Sequence, residues 1–315
     1  MPRTAPVEFL YDTHKWEKNQ PLFFGINDKI QNRRRNCTAG EKNERPVSPR
    51  GASQIDERGI QYGKTNPGEK SMEDCAIEDR VVRYWTIRSR DFGAVRKNEL
   101  GSVMGRRWQE ELEARLPAKT PLNILDVGTG AGFFAILMAR LGHRVTGIDL
   151  TPAMLEEAAA MAASLGLDIA FRHMDAQEPD FPEGTFDVVL SRNLTWTLPQ
   201  PEKAYAQWYR VLKPGGLLLN FDADYAANVR SESTQNCSVA PDSPYGHVGM
   251  TEALVEENNA ITLALDVGQK RPAWDEAVLK KVGFSRCRTD LTVGRRVLGA
   301  ADLVHAPMFG VFAQK

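Results

Sequence analysis

The segment Leu125-Asp126-Val127-Gly128-Thr129-Gly130-Ala131-Gly132 decides the fold. It closes the short apolar run Leu122 to Val127 and leads into the apolar stretch Gly132 to Leu141. It therefore reads as the turn between a strand and a helix. Glycines at such a place let the chain turn tightly and let a ligand approach the backbone. A GxG pair alone is a weak signal, and between a strand and a helix it is a strong one. A dinucleotide fold asks for GxGxxG, whose third glycine packs helix on strand beside a pyrophosphate. Here the pattern is GxGxG, and Phe133 stands where that third glycine would be. Asp126, directly before the loop, repels a diphosphate and favours an ammonium group.

Downstream the chain alternates. Helices are expected at Gly132 to Leu141, Pro152 to Leu165, Glu202 to Leu212 and Trp274 to Val282. Strands are expected at Arg144 to Ile148, Asp168 to His173, Phe186 to Leu190, Leu217 to Phe221, Arg286 to Leu291 and Phe309 to Ala313. Such alternation means βαβ units and an α/β fold with a parallel sheet, with ligands beyond the carboxyl ends of the strands. Acidic residues fall at those ends. Asp149, with Leu150 beside it, can accept from both ribose hydroxyls, and Met154 can cover the ribose and adenine. Asp175, next to Ala176, is placed for the adenine amino group, and Ser191-Arg192-Asn193 for a methionyl part. The ligand that matches this charge pattern is S-adenosyl-L-methionine, which carries an ammonium and a sulfonium and no phosphate. The alternatives are an NAD-dependent oxidoreductase on a Rossmann fold and a non-catalytic S-adenosylmethionine-binding protein.

The pieces Leu125 to Gly130, Gly147-Ile148-Asp149-Leu150, Met174-Asp175-Ala176, Phe186-Asp187-Val188-Val189 and Arg210 to Gly216 resemble class I S-adenosylmethionine-dependent methyltransferases of the ubiquinone/menaquinone-type small-molecule group. The resemblance spans roughly Ile77 to Gln314. It implies a Rossmann-like seven-stranded, mostly parallel sheet with helices on both faces, its last strand (Phe309 to Ala313) antiparallel. It also implies N-terminal helices that close over the cofactor, with an aromatic residue touching it. Phe92 sits where many relatives carry tyrosine. Tyr84-Trp85-Thr86-Ile87-Arg88-Ser89 and Arg271-Pro272-Ala273-Trp274-Asp275 are similar to a bacterial branch of this group. The Asn/Asp-Pro-Pro-aromatic motif of base-amino methyltransferases is missing after the fourth strand, where Ser191-Arg192-Asn193-Leu194 stands, and no cysteine nucleophile lies there.

Composition agrees with a small-molecule acceptor. The 315 residues carry a formal net charge of -1, which points to no polyanionic partner such as nucleic acid. No apolar run is long enough to span a membrane. The N-terminus lacks an apolar signal segment, and four scattered cysteines without a CxxC pair suggest reduced thiols, no metal site and a cytoplasmic protein. Oligomeric state is left open.

Residues 1–75 read as a mostly disordered tail, 76–121 as an N-terminal helical cap of two or three helices, and 122–315 as the cofactor-binding domain with a lid inserted at 223–270 after the fifth strand. Trp85, Trp196 and Tyr225 are expected at the acceptor, with Arg88 toward the cofactor or acceptor. His247, Asp224 and Tyr225 are the weak candidates for a base or an orienting group.

Overall fold

A computed structural model describes residues 54–55, 59–62, 71–118, 121–231, 249–268, 270–302 and 306–315. The expected alternation is present. Strand β3 (Asn123–Val127) is followed by α3 (Phe133–Arg140), β4 (Arg144–Asp149), α4 (Pro152–Ser164) and β5 (Ala170–His173). Then come β6 (Phe186–Arg192), a 3₁₀ turn (Thr195–Thr197), α5 (Pro201–Val211) and β7 (Leu212–Asp222). After the insertion, α8 (Ala273–Val282), β8 (Ser285–Asp290), α9 (Val293–Leu298) and β9 (Phe309–Gln314) complete the domain.

The seven strands expected from the sequence lie in the order β5-β4-β3-β6-β7-β9-β8, and β9 runs antiparallel to both its neighbours. Strand order reverses between β3 and β6, which opens a crevice beyond their carboxyl ends. Two further two-residue strands, β1 (Gln54–Ile55) and β2 (Gln61–Tyr62), extend the β5 edge. They fall within the stretch that composition reads as a disordered tail. Ile60, an isolated apolar residue there, is fully buried against the domain core.

Side-chain alternation along the central strands builds two apolar layers. Ile124, Val188, Leu190 and Leu219 face a cluster that holds Trp108, Phe134 and Phe221. Leu125, Val189 and Leu218 face another that holds Tyr205, Trp208 and Leu279. Near-continuous apolar strands are what a sheet covered on both faces requires.

Two helices precede the sheet's central strands. Helix α1 (Met72–Leu100) is 29 residues long, and α2 (Val103–Glu113) follows after Gly101 and Ser102. A capping box starts α1: the Ser71 hydroxyl accepts from the Asp74 N–H, and Asp74 accepts from the Ser71 N–H. The helix runs through Gly93 because a Cβ there would lie 2.8 Å from the Glu157 carboxylate on α4, so glycine permits the two helices to close. Between β7 and α8 the chain adds α6 (Tyr225–Ser231) and α7 (Glu252–Ala264). Arg80 on α1 holds Glu257 on α7 with two bonds of 2.9 Å. No described helix is long and apolar enough to cross a membrane. Cys75 is disulfide-bonded, contrary to the expectation of four reduced thiols, whereas Cys287 is free.

Candidate functional site

A cavity of about 830 Å³ lies beyond the carboxyl ends of β3, β4, β5 and β6. The size is that of a small-molecule site. Its floor is the glycine loop. Gly128, Gly130 and Gly132 have φ of 64°, 54° and 82°, a region that disfavours any residue with a Cβ. A Cβ on Gly128 would come within 2.6 Å of Leu194, and one on Gly132 within 3.0 Å of Ala158. The loop is held by β4: the Thr129 N–H donates to the Ile148 carbonyl at 2.9 Å, and the Gly130 N–H donates to Asp149 Oδ2 at 2.9 Å.

Asp126 is buried under the loop and lines the cavity. Its Oδ2 accepts from the Thr129 hydroxyl at 2.6 Å and from the Ala135 N–H at 3.0 Å. Burial pushes its pKa up to about 7, against the pull of those two bonds and with a further push from Asp149. Asp149, at the end of β4, accepts from Thr151 N–H at 2.8 Å through Oδ1 as well as from Gly130. Desolvation also raises its pKa, opposed by these backbone donors. A carboxylate offers about four acceptor positions, so roughly two remain for a ligand.

The third carboxylate, Asp175, is held in a polar cluster. Its Oδ1 accepts from the Gln177 N–H at 2.8 Å. Gln177 Nε2 in turn donates to Glu78 Oε1 at 2.8 Å, bringing a carboxylate from α1 to the same corner. Glu78 was not singled out from the sequence. Its signal is helical phase: Glu78, Val81, Trp85, Arg88, Phe92 and Arg96 recur along one face of α1, and all line the cavity. Phe92 covers the loop, with a ring carbon 3.5 Å from where a Gly130 Cβ would stand.

Gly128, Thr129, Gly130, Leu150, Met154 and Ala176 line the cavity, and so do Arg88, Trp85, Trp196 and Tyr225. Trp85 packs edge-on against Phe92 at 5.3 Å, and Trp196 lies 5.1 Å from Tyr225. Arg88 Nη1 stands 3.7 Å from Asp91 Oδ2. Ser191 is placed differently. It is fully buried inside β6, and the strand end presents Arg192, Asn193 and Leu194 to the cavity instead.

Asp224 is also outside the lining. It caps α6, accepting from the Ala227 N–H at 3.0 Å, and its Oδ2 accepts from the Arg271 N–H at 3.3 Å. Of the three residues considered for proton transfer, Tyr225 is therefore the one on the cavity wall, and His247 lies outside the described residues.

Two further groups were missed, the Glu99–Arg96 pair that meets Arg192 and the polar residues of α7. Arg192 Nη2 donates to the buried Glu99 at 2.9 Å, and Arg96 pairs with the same carboxylate. Burial raises the Glu99 pKa, but the two guanidinium groups outweigh it and leave it lowered. From α7, Asn258, Asn259 and Thr262 supply polar wall. No cluster of metal-ligating side chains occurs among the described residues.

The class this fold and crevice define is a Rossmann-like nucleoside-binding domain with carboxylates where a dinucleotide site would have a pyrophosphate cradle. Comparison with known proteins sharpens it. Residues 125–220 match the family described as Methyltransferase domain. The chain is 36% identical over 115 residues to a demethylmenaquinone methyltransferase of Thermus thermophilus, covering 36% of this chain and 52% of that one. It is 38% identical over 99 residues to a ubiquinone biosynthesis O-methyltransferase of Maricaulis maris, covering 31% and 39%. It is 34% identical over 149 residues to a phosphatidylethanolamine N-methyltransferase of Cereibacter sphaeroides, covering 46% and 66%. The similarity thus spans between about two fifths and two thirds of these relatives. Residues 125–220 thus match a methyltransferase domain, for which the sequence points to S-adenosylmethionine as the cofactor.

The residues present fit that cofactor. Asn193, at a φ of 54°, lines the same cavity as the carboxylates, and its buried Oδ1 has no hydrogen-bond partner among the described residues, an acceptor that suits an ammonium donor.

Proposed function

We propose that the protein transfers a methyl group from S-adenosylmethionine to a small-molecule acceptor, leaving S-adenosylhomocysteine. The observation that carries this reading is the Asp149 carboxylate, which holds the glycine loop and still has acceptor positions directed by neither backbone bond. When bound, the cofactor supplies a methyl group already activated on sulfur.

The chain's part is positioning and exclusion of water. Asp149 holds the ribose, and Asp175 holds the adenine edge. Asp126 offers negative charge to the ammonium end. Phe92 and Trp85 roof the site from α1, and Trp196 with Tyr225 forms the acceptor wall. Aromatic faces favour a cationic sulfonium and an apolar acceptor. We read α1 and α2 as the cap and residues 223–270 as the lid. Tyr225 is the orienting group or base for an acceptor that must lose a proton. The near-neutral net charge supports a small molecule rather than a nucleic acid.

The test is incubation with methyl-labelled S-adenosylmethionine and fractionated metabolite pools. Label should pass into an acceptor as S-adenosylhomocysteine forms. Bound cofactor without turnover across all pools contradicts the reading.

A further inference from the structure

The motif Arg271-Pro272-Ala273-Trp274-Asp275 takes no part in the cavity, yet Arg271 and Asp275 are both buried. Arg271 Nε and Nη2 meet the two Asp275 oxygens at 2.9 and 2.6 Å, a bidentate pair that ties the segment ahead of α8 to the helix's first turn. Asp275 is fixed from the other side by the Tyr205 hydroxyl at 2.6 Å, which itself accepts from Asn220 at 3.0 Å. The pair therefore stands on a rigid base.

From that base the guanidinium reaches two other segments. Nη1 lies 3.4 Å from Asp222 Oδ2 at the end of β7, and Nη2 donates to the Thr195 hydroxyl at 2.5 Å. Thr195 also bonds Asp222. The Arg271 backbone N–H reaches Asp224, which caps α6. Thr195 opens the turn that carries Trp196, and Asp224 precedes Tyr225. Beyond Asp275, the segments that Arg271 grips at Thr195 and Asp224 thus carry the two members of the aromatic wall, and Asp222 precedes the second of them.

We propose that Arg271 is a positioning residue that holds Trp196 and Tyr225 in register through Thr195, Asp222 and Asp224. That the wall receives the acceptor rests on the methyl-transfer reading; the clamp itself does not. Stability alone does not account for such a group. A buried ion network of this kind can often be replaced by apolar residues without loss of stability, and its contribution is to geometry. Lysine cannot substitute, because one ammonium has no planar fork to span Asp275 and Thr195 together.

The test uses the full chain with Thr195→Val and Arg271→Lys, read by hydrogen exchange and by calorimetric titration with S-adenosylhomocysteine. Exchange at amides 193–198 and 225–231 should accelerate by about tenfold or more in both variants, while amides of β3 keep their protection. Affinity for S-adenosylhomocysteine should stay within about threefold of the parent, because Asp126 and Asp149 are untouched. Thr195→Val leaves the Arg271–Asp275 pair in place, so it carries the test if the arginine variant does not fold. Unchanged exchange in both segments overturns the proposal, and so does acceleration spread equally through β3, which marks a general stability role. A parent protein that fails to bind S-adenosylhomocysteine overturns the methyl-transfer reading and leaves the exchange result standing.

Discussion

Replacement of Asp149 by asparagine separates ligand binding from loop architecture. In the structure Oδ2 receives the Gly130 N–H at 2.9 Å and Oδ1 receives the Thr151 N–H at 2.8 Å. Asparagine keeps one oxygen, so one backbone bond survives and the amide group opposes the other. It also removes the charge that the ribose hydroxyls would meet. A hydrogen bond to a charged group contributes about 1.5–3 kcal/mol, so Asp149→Asn should weaken S-adenosylhomocysteine binding by about 2 kcal/mol, roughly 30-fold. Asp149→Ala leaves both backbone donors without their acceptor and should cost about 3 kcal/mol, roughly 150-fold. Burial already disfavours the charged form of Asp149, so the asparagine variant should fold and melt close to the parent. Calorimetric titration gives the affinity, and a thermal melt of each variant checks the fold. Unchanged affinity in both variants refutes the placement of the ribose.

Further outcomes follow from neighbouring residues. Asp126 is held at about pKa 7, and a bound ammonium favours its ionised form, so cofactor affinity should rise as pH increases from about 6 to 8 and flatten in Asp126→Asn. The same raised pKa works against folding at high pH. The native state keeps a proton that the unfolded chain releases above its own pKa of 3.8, so this group's contribution to stability declines between pH 4 and about 7. Asp126→Asn should therefore melt higher than the parent at pH 8, by up to about 4 kcal/mol of stability in a denaturant titration. Gly128→Ala drives a Cβ into Leu194 at a φ of 64° and should abolish cofactor binding in a titration while circular dichroism stays native-like. Trp196→Ala should lower the rate of label transfer by at least about tenfold, with S-adenosylhomocysteine affinity nearly unchanged, because Trp196 lines the cavity where the acceptor is proposed to sit.

Local chemistry made the glycine loop and the carboxylates around it readable in the sequence. A strand, a glycine turn and a helix follow one another directly from Asn123 to Arg140, and Asp149 ends one strand while Asp175 closely follows another. The same locality set the strand and helix bounds to within a few residues for β3 through β6. Ser191 was misplaced because one residue along a strand changes the face, and the crevice begins only at Arg192. The 29-residue α1 runs through Gly93, whose missing side chain admits Glu157 of α4, a contact that only the packed structure reveals. The polar clusters were unreadable for a different reason. Glu78 and Gln177 are 99 positions apart, Arg271 and Thr195 are 76 apart, and Arg271 and Asp222 are 49 apart. Those pairings exist only once the sheet order has brought the segments together. The Arg271–Asp275 spacing of four was visible, but a spacing says nothing of what the pair grips.

The loop from Asp126 to Gly132 is the proposed seat of a cationic, phosphate-free nucleoside. Its most direct test is a calorimetric comparison of S-adenosylhomocysteine and NADH on the same preparation of the full chain. One S-adenosylhomocysteine should bind per chain, with NADH giving no saturable heat, because Asp126 and Phe133 occupy the places a pyrophosphate and its third glycine need. Saturable binding of NADH that exceeds that of S-adenosylhomocysteine would contradict it.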